Sequence, residues 1–137
     1  MANPLYGSNK TDALVDNVIG QAVSKIASYS LSAAMSGEVH ILSGAAITAT
    51  LPSLKSGLRF TLISGDDSEH VIDGGASLIY YIGSYGGDHA TNTGRDVHET
   101  VSSLTLNAGA INDKVEIVCD GTKWLCHGVT KATMDAG

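Results

Sequence analysis

The chain has 137 residues, of which 43% are hydrophobic and 16% are charged, and its formal net charge is −6. This length suits one domain with its own hydrophobic core, and the hydrophobic content excludes a wholly disordered chain. The acidic balance argues against a nucleic-acid-binding protein, because phosphate contacts depend on clustered Lys and Arg side chains.

The first ten residues predict an extended N-terminal arm. They carry Pro, Asn and Gly around the isolated apolar residues Leu5 and Tyr6, and such a segment has no core of its own unless it docks on a neighbour. The start of the chain also lacks the basic and apolar regions of a secretory signal, and no apolar run is long enough to span a membrane. We therefore expect neither a secreted protein nor a membrane partner.

The arm leads into a segment whose apolar residues recur at helical spacing. Over residues 12–26 this stripe includes Leu14, Val18 and Ile19, and it predicts a short helix or a helical turn before the first strand. The stripe packs either against its own domain or against a partner, and the pattern leaves both alternatives open. Together, the arm and the helical segment form an N-terminal region over residues 1–28.

From about residue 29 to residue 130 the apolar period changes to two, which predicts a β domain. The alternation is clearest in four segments, 39–41, 47–51, 58–62 and 115–117. Turn-forming Gly, Pro, Asp and Asn residues separate these segments. Short antiparallel strands at this spacing are typical of a compact all-β sandwich or barrel of the tulip or jelly-roll type, here followed by a C-terminal tail at residues 131–137.

Residues 83–98 predict a long exposed loop within this domain, because they are rich in glycine and polar residues. The His98-Glu99 pair begins a zinc-protease motif that fails, since Ser102 stands where the second histidine is required. The sequence contains neither a nucleophile elbow nor a phosphate-binding loop. We therefore expect no metal, no cofactor and no catalytic residue, and a protein that is not an enzyme.

The segment from Val115 to Gly128 predicts a hairpin that holds both cysteines and the one tryptophan of the chain. Cys119 and Cys126 would lie on one face but not directly opposite each other. A disulfide between them would be strained, so buried free thiols are favoured. Trp124 follows the turn, where it either clamps the hairpin in the core or lies at a subunit interface, since tryptophan is enriched in interfaces.

The stretch from about residue 30 to residue 129 resembles a recurrent module of tailed-bacteriophage virion proteins. The resemblance rests on four segments, which are Ser36 to Leu42, the strand that ends in Leu51-Pro52, the Gly57-Leu58-Arg59-Phe60 strand, and a final hairpin with Asp120-Gly121-Thr122 before Trp124. On these residues the chain is similar to the trimeric decoration, or cement, proteins of phage heads and to modules of head and tail fibres. The short arm and the small total length favour the decoration proteins.

The resemblance implies a homotrimer that is assembled in the host cytoplasm, binds the major capsid protein on the capsid exterior and stabilises the mature head. It carries over no catalytic residue. We expect the capsid-facing residues of the arm to be Pro4, Leu5 and Tyr6, and the apolar stripe after them to anchor the arm or pack on a partner. The alternative is a head or tail fibre or adhesin module that binds a host surface glycan or receptor through loop 83–98 and its neighbouring tyrosines.

Overall fold

The computed structural model describes the chain in five ranges, which are residues 22–76, 78–86, 93–107, 111–131 and 133–137. Within them the chain forms strands and one 3₁₀ turn at Ala33–Met35. The strands, in chain order, are β1 (Ala22–Lys25), β2 (Tyr29–Ser30), β3 (Val39–Leu42), β4 (Thr48–Thr50), β5 (Arg59–Ser64), β6 (His70–Asp73), β7 (Ile79–Gly86), β8 (Thr93–Val101), β9 (Ser103–Leu106), β10 (Lys114–Cys119), β11 (Trp124–Thr130) and β12 (Asp135–Ala136).

These strands divide between two sheets that share one core. Sheet A has seven strands in the order β1-β3-β5-β10-β11-β7-β8, and sheet B has five strands in the order β12-β9-β6-β4-β2. Buried residues of both sheets form a single cluster, so the predicted all-β, sandwich-like domain is confirmed. The sheets are mixed rather than antiparallel throughout, because the pairs β1–β3, β3–β5, β2–β4, β4–β6 and β7–β11 run parallel.

Four of these five parallel pairs, all except β7–β11, arise because the first half of the described chain winds between the two sheets. Strands β1, β3 and β5 lie side by side in sheet A, while β2, β4 and β6 lie side by side in sheet B. Each passage through sheet A is therefore followed by a passage through sheet B. The period-two pattern predicts strands of either direction equally, so this winding was not visible in the sequence.

The backbone hydrogen bonds continue where the winding leaves sheet A. The Ser43 N–H donates to the Lys25 carbonyl, and in the next turn the Gly65 N–H donates to the Leu42 carbonyl. A Cβ at Gly44 would lie 2.6 Å from the Ile26 carbonyl oxygen, so the first two turns stack closely only with glycine at that position.

Alternation along the inner strands, such as β5, β6, β10 and β11, sends every second side chain into the core, as the period-two pattern predicts. Trp124 is fully buried there, with its ring centroid 6.2 Å from that of Phe60. A side chain without exposed surface in one chain cannot contact a second subunit, so the alternative that placed Trp124 at an interface is wrong. The core cluster consists of Leu31, Ala49, Leu51, Leu58, Phe60, Leu62, Ile72, Ile79, Tyr81, Leu104, Leu106, Val115, Ile117, Cys119, Trp124, Cys126 and Met134.

The predicted loop at 83–98 is instead largely a pair of strands. Strands β7 and β8 pair antiparallel from Ile79–Val101 to Gly86–Thr93, with an irregularity between Ile79 and Tyr81. The loop prediction is therefore wrong for residues 83–86 and 93–98, and residues 87–92 lie outside the described ranges.

The glycines that suggested a loop make room for aromatic rings over the sheet. A Cβ at Gly83 would collide with the Tyr81 hydroxyl, and a Cβ at Gly94 would lie 2.6 Å from the Tyr85 hydroxyl. Glycine within a strand allows such close approach of a ring to the backbone. The composition of this segment therefore reflects packing of tyrosines rather than a turn.

The two ends of the described chain are also strands. Residues Ala22–Lys25, which the sequence placed at the end of a helical stripe, form β1 and pair with β3. The remainder of that stripe, including Leu14, Val18 and Ile19, lies outside the described residues. Within the predicted C-terminal tail, Asp135–Ala136 forms β12 and pairs with β9.

Replacement of Trp124 by alanine tests the central position of this residue in the core. We expect Trp124→Ala to lower the free energy of unfolding by about 3–5 kcal/mol, because a large buried side chain leaves a cavity. Urea denaturation measures this change. The control is Ile111→Ala, outside the strands, where the isoleucine is 61% exposed and the expected change is within about 0.5 kcal/mol. Equal losses in the two variants would contradict the packing described.

Candidate functional site

His40 is a fully buried residue that links the two sheets. Its Nδ1 atom lies 2.7 Å from the Tyr29 hydroxyl of β2, and its Nε2 atom lies 2.7 Å from a Glu38 carboxylate oxygen. Burial, and secondarily the Glu38 charge, raise the pKa of Tyr29 well above its usual value, so the hydroxyl stays protonated. An activated nucleophile requires the opposite shift, and the arrangement therefore acts as a structural link between β2 and β3.

His70 forms a second buried connection at the start of β6. Its Nδ1 atom accepts the Ile47 N–H at 3.3 Å, so the proton of the neutral ring lies on Nε2, which is 3.0 Å from Asp66 Oδ1. The Ser68 N–H also donates to Asp66, and this bond is the main cause that lowers the pKa of the Asp66 carboxyl. These hydrogen bonds of His70 and Asp66 stabilise the turn before β6. Both ring nitrogens of His70 are engaged in them, so neither is available to a substrate.

Cys119 and Cys126 are both buried and free, as the sequence predicts. Cys126 faces Ile117 and Cys119 faces Trp124 in the register of β10 and β11, so the two thiols are not opposite each other. Burial raises the pKa of the Cys126 thiol to about 12, and the reactive thiolate is therefore scarce at neutral pH.

Among the residues that the structure describes, no group of three or more His, Cys, Asp and Glu side chains is arranged to hold a metal ion. Within the same ranges, no helix has both the length and the apolar character needed to cross a membrane. The outward surfaces of the two sheets differ in their residues.

The surface of sheet B that points away from sheet A, here called face B, is polar. Its outward residues in the central strands are Thr48, Thr50, Val71, Asp73, Ser103 and Thr105. Hydroxyl-bearing side chains in such a row are well solvated and need no partner. Face B therefore has the character of an ordinary solvent-facing sheet surface.

The opposite surface, here called face A, is the outward side of sheet A and carries large apolar residues. Three exposed valines lie on it, with exposures of 63% for Val129, 47% for Val97 and 37% for Val118. Leu125 is the cross-strand partner of Val118, so an apolar pair lies between β10 and β11. Outward valines and leucines on several neighbouring strands are typical of a sheet surface that another molecule covers.

Within face A, the part on the β5 side of β10 is also apolar. Lys114 of β10 pairs in register with Ile63 of β5, which in turn pairs with Ile41 of β3. Both isoleucines are only half-buried and point outward. Face A therefore has an apolar flank on each side of β10, which is the central strand of the sheet.

The charged residues of face A lie between and beside these flanks. On β10 the Lys114 Nζ atom is 3.1 Å from Glu116 Oε1, and both side chains are well exposed. Arg59 neighbours Val118, and Arg95 lies on the edge strand β8 beside Ser84. Glu38 and Glu99 line the hollows of the same face, so face A carries equal numbers of basic and acidic groups on a chain whose net charge is −6.

Two open hollows lie along face A. One, of about 270 Å³, is lined by Arg59, Thr61, Glu116 and Val118 among others. The second, of about 210 Å³, is lined by residues that include Tyr80, Arg95, Val97, Glu99 and His127. Both are shallow depressions between outward side chains rather than enclosed pockets, so they fit contact with a broad surface better than capture of a small substrate.

The described chain begins at an exposed end of the winding. Strands β1 and β2 follow each other in the chain, and each is the edge strand of its sheet. Ile26, between them, is 78% exposed. Within the described residues, the outer edges of β1 and β2 have no strand partner, and these edges and Ile26 lie close in sequence to the point where the described part of the chain begins.

Of the site residues predicted from the sequence, Trp124 is the one within the described ranges, and it does not lie on face A. Pro4, Leu5 and Tyr6 of the arm lie outside the described residues, and Trp124 lies in the core. The sequence did contain a signal for face A, because runs such as Ile117-Val118-Cys119 and Trp124-Leu125-Cys126 are apolar at consecutive positions. A strand that is apolar on both faces is covered on both faces.

Comparison of the chain with protein-family models, with curated proteins and with solved structures finds no match.

The thiols provide a test of the buried sites. We expect Ellman's reagent at pH 8 to leave Cys119 and Cys126 unmodified in the folded protein and to modify both in urea, because both thiols are buried and the raised pKa of Cys126 keeps that thiol protonated. The matched control is Ser53→Cys, which places a thiol at an exposed loop position outside both sheets and should react at once. Rapid reaction of the unaltered protein would contradict this account.

Proposed function

We propose that this chain is a capsid decoration protein, a structural virion protein that binds the major capsid protein on the outside of the head as a homotrimer. In this role it stabilises the mature shell and acts without catalysis or a cofactor. A ligand that binds only the expanded shell stabilises that state by mass action, so many small proteins together can strengthen a head.

Face A is the observation that carries the proposal. A small chain with apolar flanks on an outward sheet surface, and with its buried histidines and thiols engaged in packing, has the properties of an assembling structural protein. Its low share of charged residues, 16%, agrees with extensive contact surfaces.

The arm supplies the contact with the shell in this proposal. Pro4, Leu5 and Tyr6 face the capsid, and the stripe with Leu14 and Val18 anchors the arm. The arm joins the domain at β1, an edge strand of sheet A, where an extended segment can follow a groove of the shell or extend a sheet.

One observation favours a second candidate, a head or tail fibre or adhesin module that binds a host surface glycan. The hollow lined by Tyr80, Arg95 and His127 combines an aromatic ring with cationic and polar groups, which suits a sugar. Lys123 Nζ lies 5.7 Å from the centre of the Tyr80 ring and adds a further cation beside it. Binding of purified protein to a glycan array would favour this candidate.

Co-sedimentation with undecorated, expanded capsids tests the leading proposal. We expect saturable binding in multiples of three copies, and we expect the full-length variant Leu5→Asp with Tyr6→Asp to lose it, because two charges replace the apolar contact. The matched control is Ser8→Asp with Asn9→Asp, which adds the same charge to the same arm and should still bind. Absence of binding by the unaltered protein at high excess would overturn the decoration function.

A further inference from the structure

The two outward faces of the sandwich differ in a way that packing within one chain does not require. Face A carries Val97, Val118 and Val129, each more than a third exposed, whereas the central strand of face B carries the half-buried Val71 between threonines. Exposed apolar area on one side of a domain marks the side that another molecule covers. The charges of face A and the arrangement of its apolar flanks indicate which molecule covers it.

Charge favours another copy of the same chain. Each copy carries a net charge of −6, so two copies that meet through acidic surfaces repel each other. On face A, Arg59, Lys114 and Arg95 are matched in number by Glu38, Glu99 and Glu116, so copies that meet through this face bring no excess of negative charge together. Face A is therefore the part of the described surface through which acidic copies can associate at low electrostatic cost.

The centre of face A is self-complementary. Lys114 and Glu116 are outward neighbours on β10, and their side chains are 44% and 59% exposed. A surface pair of this kind contributes little within one chain, but it can exchange partners, so that Lys114 of one copy meets Glu116 of the next. Val118 follows on the same strand and supplies an apolar contact beside the charges.

The two apolar flanks of face A suit a cyclic assembly of copies of this chain. A cyclic assembly joins one flank of each copy to the opposite flank of its neighbour, so both flanks must be apolar. Face A meets this condition with Ile41 and Ile63 on the β5 side of the central strand and with Leu125 and Val129 on the β11 side. We infer that copies of this chain associate through face A, with β10 nearest the symmetry axis.

This inference rests on the self-association that the proposed function includes, and it adds the surface that performs it. The glycan alternative explains less of face A, because the hollow with Tyr80 and Arg95 occupies one flank only and Glu99 lines it as well. The apolar residues of β3 and β5 lie on the other flank and would remain uncovered.

A matched pair of valine substitutions tests the inference. Val118 and Val71 are outward valines on the central strands of sheets A and B respectively. We expect Val118→Glu to weaken association more than about tenfold in sedimentation equilibrium, because it buries a charge at the centre of the contact, and we expect Val71→Glu to associate like the unaltered protein. The near-ultraviolet signal of the buried Trp124 reports whether each variant is folded.

A second variant keeps the test decisive if Val118→Glu does not fold. Val129 is 63% exposed, so Val129→Glu should fold normally and still weaken association. If both face A variants associate like the unaltered protein, or if Val71→Glu weakens association equally, the inference is wrong. A protein that remains monomeric at all concentrations would also overturn it.

Capsid co-sedimentation separates this inference from the proposed function. If the unaltered protein associates through face A but does not bind capsids, the inference stands and the decoration function fails. If the protein binds capsids and the face A substitutions leave its self-association unchanged, the decoration function stands and the inference fails.

Discussion

The winding of the chain between two sheets is the constraint on which the rest of the structure depends. Because β1 to β6 alternate between the sheets, every turn adds one strand to each sheet, and its inward side chains must fit those of the preceding turn. Leu42, Ala49 and Leu62, all fully buried, occupy such inward positions. The later strands then add to the edges that the winding leaves open, with β10 beside β5 and β9 beside β6. This order makes β10 the centre of sheet A.

Local patterns predicted the strands, whereas their partners depend on contacts distant in sequence. Alternation over 58–62 was sufficient to predict a half-buried strand with Phe60 and Leu62 inward, and the offset of the two cysteines predicted free thiols. Parallel and antiparallel strands share the same period, so the winding could not be predicted. Strands β7 and β8 were missed because the role of Gly94 depends on the ring of Tyr85, its cross-strand partner, which no local sequence pattern relates to it.

Face A was likewise predictable in part from local sequence, while the rest of it depends on contacts distant in sequence. The predicted hairpin already places Val118 and Leu125 opposite each other, so part of face A could be predicted from β10 and β11 alone. The contribution of Ile41 and Ile63 follows from the strand order, which brings β3 and β5 to the other side of β10. The expected capsid contacts of Pro4, Leu5 and Tyr6 stay predictions, because they lie outside the described residues.

Hydroxyl-radical footprinting of the unaltered protein tests the central claim most directly, because it reads side-chain exposure without substitutions. The protein would be oxidised at a concentration where it is assembled and again after dilution to the dissociated state. The account predicts that Tyr80, Leu125 and Val129 of face A are oxidised less in the assembled protein, while Val71 of face B is oxidised equally in both. Equal oxidation of face A in the two states, or protection of face B instead, would contradict it.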